Sequence, residues 1–465
     1  MRFLSPLLVL LLSACSQEKA AQQNQPGDAT SVSPVPFASL LKPVANLNTA
    51  DKPAFFAGKA LAEQPWVKAP TATDARDGLG PLYNARSCVA CHSNGGRGAL
   101  PENKDENLFS AVLRLSRPGE NARIGVVPEP NYGNQIQTQS ISLEHQLGLP
   151  PRADGIAAEA RVLIEWQAAP FTYADGSTVV LRKPVFHIQQ LAYGPLQNGT
   201  LFSLRNAPQM AGTGLLEAIP AADILALQDE HDSNQDGISG RANEVYDPAL
   251  GRSSLGRFGH KANLASVEHT VAAAFLNDIG ISNPLFPAQN CTAAQKTCAS
   301  APSGNNAQGL ELPADLLALV SNFTRHLGVM AYRQQPSAEG AKLFAELNCS
   351  ACHHGSFTTA KGKGPLNGQR IHPYTDLLLH DMGPELADGR SDYLATGSEW
   401  RTAPLWGVGL NKTINGHMYL LHDGRAASVE EAILWHGGEA SASRAAFIAL
   451  AAGQRNELLE FVESL

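Results

Sequence analysis

The chain has 465 residues, of which 43% are hydrophobic and 17% are charged, and its formal net charge is −8 at pH 7. This length suggests two or three domains, and an acidic balance without any Lys/Arg-rich run leaves nucleic-acid binding without electrostatic support. The 41 glycines and 30 prolines predict a loop-rich protein. Apart from the N-terminus, no apolar run in the sequence is long enough to span a bilayer.

The N-terminus predicts a signal for export and lipid attachment. An apolar run from 4 to 12 follows a positive start, and the tetrapeptide that ends at Cys15 matches the processing site of bacterial lipoproteins. A plain secretory signal is the alternative, but it requires no cysteine at this point. We therefore expect residues 1–15 to be a lipoprotein signal peptide and Cys15 to carry a lipid that holds the protein on a membrane, facing the periplasm. Ser16 favours the outer membrane, and the composition of residues 16–50 predicts a flexible tether.

The pentapeptide Cys-x-x-Cys-His occurs twice, at 88–92 and at 349–353. A dithiol redox site needs no histidine after its cysteines, and a zinc site built from four thiolates would leave both histidines without a role. Attachment of a c-type haem needs the whole pentapeptide, because two thiols add to the haem vinyl groups and the histidine becomes the proximal iron ligand. The sequence therefore predicts two covalently bound c-type haems. The residues predicted to hold them are Cys88, Cys91, His92, Cys349, Cys352 and His353.

Helical patterns surround both motifs. A short helix is predicted within 53–70, before the first motif, and Ser337 is placed to cap a second helix before the other motif. A last helix is predicted near 444–465, where its apolar residues can pack on the second haem domain. The stretch 122–193 is instead rich in β-forming residues, with turn signals such as Asp175-Gly176, and predicts a β-containing insertion between the haem units.

Two cysteines lie outside the motifs and the N-terminus. Cys291 and Cys298 are in a polar, loop-like stretch. In an oxidising compartment this pair predicts a local disulfide. Two free thiols are the alternative.

An internal repeat relates the two halves of the chain. The run RNAPQMAGTGL from Arg205 resembles RTAPLWGVGL from Arg401, and HKANLASVE from His260 resembles HDGRAASVE from His422. Both pairs keep their order, and each follows a Cys-x-x-Cys-His motif. The repeat therefore predicts two related haem domains, of which the first is expanded.

The expansion in the first half contains a calcium-type loop. Oxygen-bearing residues alternate along it, and a glycine stands at the sixth position, as at the start of an EF-hand loop. The twelfth position is Asn243 rather than glutamate, so the loop is not a regular EF-hand. An Asp/Asn/Gly-rich surface turn is the alternative. The candidate calcium ligands are Asp232, Asn234, Asp236 and Ile238.

Four stretches carry a resemblance to a known family: GLGPLYNARSCVACHSNGGRG, SLRNAPQMAGTGLLEAIP, LLLHDMGPELADGRSD and YLLHDGRAASVEEAILWHGG. Over most of its length after the tether, the chain resembles the bacterial di-haem oxidoreductases, which are described as peroxidases and sometimes labelled thiol oxidoreductases. More distantly, it is similar to di-haem cytochrome c peroxidases and to the methylamine-utilisation di-haem enzyme. The resemblance implies one electron-transfer haem and one reactive haem, commonly with calcium near the interface.

The repeat and the resemblance together predict the fold class. We expect a mainly α protein with two cytochrome c-like haem domains, a β-containing insertion and many loops. The N-terminal haem domain is expected at 51–335, with the insertion and the calcium-type loop, and the C-terminal haem domain at 336–465.

The resemblance also implies ligands for the second haem, which we call haem 2. The distant peroxidases place its distal ligand after the HDG motif and a short helix, and the same spacing here ends at His436, with Met382 as the alternative. Aligning Ser266 with Ser428 puts Ala274 where the second half has His436. The repeat therefore predicts that haem 1, held by the first motif, keeps an open position. A histidine from elsewhere could close it; the candidates are His145, His187, His260 and His269.

The expected function is reduction of hydrogen peroxide at haem 1, with electrons relayed through haem 2 from a small donor protein, a cytochrome c or a cupredoxin. Breaking the O–O bond requires a group that moves a proton between the oxygens. By residue type and repeat position, the candidates are Glu217, Glu268 and His269. Two other functions stay open: a non-catalytic electron-transfer cytochrome, and an oxidase of a periplasmic protein or metal partner. Thiol oxidation is not expected, because both cysteine pairs hold haem in this interpretation.

Overall fold

A computed structural model of the chain describes residues 25–33, 39–72, 76–149 and 155–465. The predicted signal peptide 1–15 and its lipid site Cys15 lie outside these residues. The predicted tether 16–50 is described in part, and there it packs on the folded chain, since Leu40 and Leu41 are buried. Within the described residues, no helix combines the length and the apolar character needed to cross a bilayer.

The described helices are short, and most have fewer than ten residues. They are α1 Lys52–Glu63, α2 Cys88–Cys91, α3 Leu143–Gln146, α4 Thr213–Glu217, α5 Ala221–Leu225, α6 Val267–Ala274, α7 Lys296–Ala299, α8 Ala314–Arg325, α9 Ala338–Glu346, α10 Leu410–Asn415, α11 Val429–Trp435, α12 Ser441–Ala449 and α13 Ala452–Ser464. A π-helical turn, Phe275–Ile279, directly continues α6.

The described strands form two-stranded antiparallel sheets. They are β1 Leu82–Tyr83, β2 Ala111–Ser116, β3 Gln139–Ser140, β4 Arg161–Thr172, β5 Thr178–Gln189, β6 Leu201–Asn206, β7 Glu244–Asp247, β8 Arg252–Leu255, β9 Phe357–Thr358, β10 Arg370–Ile371, β11 Leu379–Asp381 and β12 Glu399–Arg401. The pairs are β1 with β3, β2 with β6, β4 with β5, β7 with β8, β9 with β10, and β11 with β12.

The expectation of a mainly α fold is wrong. The protein is 27% helical and 18% strand, so irregular chain makes up the larger part of it. The 41 glycines and 30 prolines are one physical reason, because both residues interrupt helices. The other is the long hairpin of β4 and β5, whose register runs from Arg161 opposite Gln189 to Thr172 opposite Thr178. This hairpin belongs to the segment for which the sequence predicts β structure.

Both halves contain a helix pair that is closely packed at a glycine. A Cβ on Gly58 of α1 would lie 2.0 Å from the carbonyl oxygen of Leu319 in α8 and 2.8 Å from the Cβ of Phe323. A Cβ on Gly340 of α9 would likewise lie 2.4 Å from Phe461 of α13. In each half the glycine-bearing helix precedes a Cys-x-x-Cys-His motif and crosses a helix near the end of that half. The helix pairs therefore support the relationship between the halves that the repeat predicts.

The two main hydrophobic cores are not separated along the sequence. The first core consists chiefly of residues before 330 but also includes Leu378 and Trp406. The second core surrounds α9, α11 and α13, and it includes Tyr173 and Leu181 from the β4–β5 hairpin. Each half therefore contributes buried side chains to the core of the other. Cys291 and Cys298 form a disulfide with a sulfur–sulfur distance of 2.07 Å.

Candidate haem-binding cavity

The two Cys-x-x-Cys-His motifs line one continuous cavity of about 410 Å³. The first motif forms α2, and the second begins with a single 3-10 turn, Cys349–Ala351. The walls are mostly apolar side chains from both halves, as a haem macrocycle requires. Among them are Val271, Phe275, Val320, Leu420, Val429 and Phe447.

The histidine of each motif is oriented by one backbone carbonyl. The Nδ1–H of His92 donates to the carbonyl oxygen of Pro208 at 2.6 Å, and that of His353 donates to Tyr374 at 2.9 Å. These bonds keep the proton on Nδ1 and leave the Nε2 lone pair for a metal. Burial lowers the pKa of His92, and it lowers the pKa of His353 to about 4, so both rings are neutral at pH 7. Both histidines are therefore in the state that an iron ligand needs.

The four motif cysteines line the same cavity as free thiols. Burial raises the pKa of Cys88 and of Cys349 to about 12, and it also raises the pKa of Cys91. A reactive dithiol has the opposite shift, because its chemistry requires a thiolate at neutral pH. In the part of the chain that the structure describes, no group of three or more cysteine, histidine or acidic side chains is arranged to hold a metal. This chemistry fits two thioether-linked haems better than it fits a redox dithiol or a shared zinc site.

The two repeats present equivalent helices to the cavity. Ser266 caps α6 and Ser428 caps α11, each hydroxyl accepting from the backbone amide three residues on. The cap residues have nearly identical backbone angles, φ −140° and ψ 167° for Ser266 and φ −143° and ψ 167° for Ser428. Ala274 and His436 lie eight residues after these caps, and both line the cavity. The backbone therefore matches the predicted alignment at the caps, whereas Ala274 is helical and His436 ends its helix.

His436 lies near His353 on the wall of the cavity. Its Nδ1–H donates to the carbonyl oxygen of Ala432 at 2.6 Å, which again leaves Nε2 as the free nitrogen. Burial lowers the pKa of His436, and the two imidazoles are close enough for His436 to lower the pKa of His353. Met382, the alternative ligand, also lines the cavity.

The four histidines that could close haem 1 from elsewhere have different positions. Only His260 among them lines the cavity, and its buried Nε2 has no hydrogen-bond partner in the described structure. His145 bonds to Gln139, and His187 is exposed beside Glu165. In the repeat, His260 is the counterpart of His422 rather than of His436. It is therefore not the equivalent of the predicted distal ligand of haem 2.

None of the three predicted proton-transfer residues lines the cavity. Glu217 accepts from Arg325 at 2.5 Å and from the backbone amide of Val267 at 2.7 Å, so it pairs with a cation and supports the start of α6. His269 is buried, accepts from the amide of Ala265, and has its pKa lowered to about 4 by burial. Glu268 also lies outside the set of cavity-lining residues.

Sequence reasoning missed Asp278, the only carboxylate among the described residues that line the cavity. It belongs to the π-helical turn after α6, four positions beyond Ala274. The Nε2 of Gln135 donates to its Oδ1 at 2.9 Å, and its charge raises the pKa of Cys88 and Cys91. The sequence shows that Asp278 lies shortly after α6, but its proximity to the first motif is visible only in the folded chain.

The calcium-type loop is adjacent to the same cavity. Its carboxylates accept from amides of their own loop: Asp232 from Gly237 at 3.2 Å, and Asp236 from Ile238 at 2.9 Å. Ile238 lines the cavity, and the neighbouring Ser239 donates to Glu439 at 2.7 Å. Calcium binding at Asp232, Asn234, Asp236 and Ile238 stays a prediction.

One comparison with known proteins, that with family models, agrees with the cavity chemistry. A model of the family described as "Di-haem oxidoreductase, putative peroxidase" matches residues 30–465. Among solved structures, the chain is similar to a hydrazine synthase of Kuenenia stuttgartiensis, crystallised under xenon, with 14% identity over 57% of this chain and 73% of that one. The TM-score is 0.29, so this likeness carries no argument. No curated protein matches the chain.

Proposed function

Because the chain belongs to the di-haem oxidoreductase family, we propose that it is a two-haem enzyme that reduces hydrogen peroxide with electrons from a donor protein. The observation that carries the proposal is the difference between Ala274 and His436, which lie at equivalent helix positions on one cavity. A histidine at this position in one half and an alanine in the other favour one closed and one open iron site.

The chain would hold both haems covalently. Each thiol of the pairs Cys88/Cys91 and Cys349/Cys352 would add across a haem vinyl group, with sulfur bonding to one carbon and hydrogen to the other. His92 and His353 are already neutral and oriented through Nδ1, so they are prepared to bind iron through Nε2. When bound, the haems supply the electron storage and the iron at which peroxide is reduced. Each peroxide takes up two electrons and two protons, its O–O bond breaks, and two waters leave.

Asp278 is the residue that we propose for proton transfer beside haem 1. It is the one carboxylate on the cavity wall within the described residues, and it lies about one turn beyond Ala274 on the same helical segment. Its Oδ1 accepts from Gln135, while its Oδ2 makes no hydrogen bond within the described chain. A carboxylate held at one oxygen can take up and return a proton at the other.

Two variants test this role. We expect Asp278→Asn to lower peroxide turnover by roughly 10²-fold, the usual scale for a general acid–base group. The absorption spectra of the haems should not change. Glu268→Gln is the matched control, because Glu268 lies outside the cavity wall and should retain full activity. Full activity of Asp278→Asn would contradict the assignment.

The first measurement is a low-temperature EPR spectrum of the fully oxidised protein, with covalent haem quantified in the same sample. One high-spin and one low-spin ferric haem are expected. A specific observation favours the second candidate function, a non-catalytic electron-transfer cytochrome: the unpartnered Nε2 of His260 lies in the cavity and could close haem 1. If both haems stay low-spin on partial reduction, the result would support the electron-transfer cytochrome as the function.

We also propose an electron donor and a cellular location for the enzyme. Electrons would enter at haem 2 from a small cytochrome c or cupredoxin, and no nucleic acid is involved. Lipidation at Cys15 would hold the enzyme at a membrane, facing the periplasm, with the outer membrane preferred. Oxidation of a protein or metal partner in place of peroxide reduction would be recognised by activity that needs the partner and no peroxide.

A further inference from the structure

Three partly buried arginines, Arg97, Arg401 and Arg444, line the cavity without a described carboxylate partner, and the first two are held by backbone carbonyls. Arg97 and Arg401 both contribute to the cavity wall, and neither makes an ion pair with a described carboxylate. Burial lowers the pKa of each guanidinium to about 10, which leaves both charged at neutral pH. A buried cation without a counter-ion is costly, so its presence calls for an anion.

The contacts that Arg97 and Arg401 do make are all with backbone carbonyls. Arg97 donates through Nε to Tyr419 at 2.7 Å and through Nη2 to Leu421 at 2.6 Å. Arg401 donates through Nε to Gly259 at 2.9 Å and through Nη1 to Thr402 at 3.1 Å. Carbonyl oxygens orient a guanidinium but do not neutralise it. The Nη1 of Arg97 and the Nη2 of Arg401 have no hydrogen bond in the described chain.

Other buried cations nearby form ion pairs with carboxylates. Arg205 pairs with Asp392 at 2.5 Å, and Lys261 pairs with Asp388 at 3.1 Å. Arg425 likewise pairs with a carboxylate, that of Asp423, at 2.7 Å. These three cations therefore have a carboxylate partner, which Arg97 and Arg401 lack.

The carboxylates whose charge reaches the two arginines are engaged elsewhere. Asp423, which raises the pKa of Arg97, is the partner of Arg425. Asp376, which raises the pKa of Arg401, bonds to His380 at 2.8 Å. Neither is within ion-pair distance of Arg97 or Arg401. Both guanidinium groups therefore lie on the cavity wall without a counter-charge from the described protein groups.

We infer that Arg97 and Arg401 bind haem propionates, and this inference rests on the proposed attachment of haem. Each haem brings two carboxylates into a cavity whose wall is mostly apolar and has Asp278 as its one described carboxylate. A guanidinium with a free Nη donor is suited to such a carboxylate, and charge-assisted bonds of this kind are strong.

The two arginines also connect the halves in a reciprocal way. Arg97 follows the first motif and reaches carbonyls just before His422, whereas Arg401 belongs to the second half and reaches the carbonyl just before His260. His260 and His422 are counterparts in the repeat. Propionate binding at both arginines therefore links haem binding to the contact between the halves.

The test compares Arg97→Gln and Arg401→Gln with Arg257→Gln, all in the intact protein. Arg257 is a buried arginine that donates to the carbonyl of Leu216 but does not line the cavity, so it is a matched control. A cation near a haem favours the reduced state. Losing it should lower the equilibrium constant for reduction of one haem by at least about tenfold in each test variant. Infrared difference spectra between oxidised and reduced protein should lose or shift a propionate band, and the control should match the wild type in both readouts.

The outcomes separate the inference from the function on which it rests. Wild-type protein without covalent haem would overturn the proposed haem attachment and the inference with it. Two attached haems with unchanged potentials and propionate bands in both test variants would overturn the inference alone. If the glutamine variants do not fold, Arg97→Lys and Arg401→Lys retain the charge; they should preserve the reduction equilibrium while shifting the propionate bands, and unchanged bands would count against propionate contact. Restoration of the reduction equilibrium of a glutamine variant by added phosphate would show that the pocket accepts any anion and would overturn the specific assignment.

Discussion

The helix α6 in the first half and the helix α11 in the second begin alike and end differently. Both are capped by a serine in the same conformation and both face the cavity. The second helix stops at His436, whose φ of −58° and ψ of 130° leave the helical region. The first passes through Ala274 and continues as a π-helical turn that carries Asp278. One duplicated scaffold thus places a histidine on the cavity in one half, and an alanine followed by a carboxylate in the other.

The largest expected effect tests whether each half holds its own haem. The double substitution of Cys88 and Cys91 by alanine should reduce covalent haem from two to one per chain, because thioether bonds need those sulfur atoms. The corresponding change at Cys349 and Cys352 should remove the other haem. Mass spectrometry of the intact protein measures both losses. Two haems retained in either variant would contradict the prediction that each half is a separate attachment site.

A second prediction concerns a substitution that breaks an ion pair between the halves. Asp392 bonds to Arg205 of the first half at 2.5 Å and to Arg390 at 2.6 Å, and all three side chains are buried. Asp392→Asn should therefore reduce the free energy of unfolding by about 3–5 kcal/mol, because it leaves buried cations underpaired. Chemical denaturation measures this loss. Glu165→Gln, at an exposed pair with His187, is the control and should cost less than about 1 kcal/mol.

The pH dependence of the same pair has a definite sign. Burial alone would raise the pKa of Asp392, but the guanidinium groups of Arg205 and Arg390 outweigh it and lower the pKa from 3.8 to about 2. A depressed carboxyl pKa stabilises the folded state above the unfolded value, and this contribution is lost as the pH falls from about 4 to about 2. Asp392→Asn should lack that part of the acid transition. An identical acid transition in the variant would contradict the role of the pair.

A third prediction concerns substitutions that exchange the residues near the two helix ends, Ala274 and His436. His436→Ala should open the iron site of haem 2 and add a high-spin EPR signal. Ala274→His should close haem 1 and lower peroxide turnover by roughly 10²-fold or more. Unchanged spin states in both variants would mean that Met382 or His260 decides the coordination.

The sequence predicts the parts of this site that are local. The pentapeptides at 88–92 and 349–353 contain their chemistry within five residues, and the alignment of Ser266 with Ser428 is visible in the repeat. Both serines cap their helices and both motifs line one cavity, while haem attachment stays a prediction. The disulfide between Cys291 and Cys298 is another local feature that forms as expected.

The features that sequence reasoning missed depend on distant neighbours. Glu217 has the right chemistry for proton transfer, yet Arg325, 108 positions away, takes up its carboxylate. Arg401 becomes significant only because it meets Gly259 at the boundary between the halves. The error in fold class has a related cause, since short helical patterns indicate helices but do not show how much irregular chain lies between them.

The smallest prediction concerns the turn end of the β4–β5 hairpin, which belongs to the first half in sequence and packs in the second core. Tyr173, directly after β4, donates to Glu430 of α11 at 2.8 Å, and the guanidinium of Arg455 lies 3.8 Å from the centre of its ring. Tyr173→Phe keeps the ring contact and removes one hydrogen bond, so it should cost about 1 kcal/mol in the free energy of unfolding. Tyr332→Phe is the matched control, because the Tyr332 hydroxyl has no hydrogen bond within the described residues, and its loss should change stability less. Since α11 ends at His436, a hairpin that braces this helix should also sharpen the low-spin EPR signal of haem 2, and Tyr173→Phe should broaden it. An unchanged signal alongside the expected stability loss would limit the hairpin to a stabilising role and leave the ligand geometry to α11 itself.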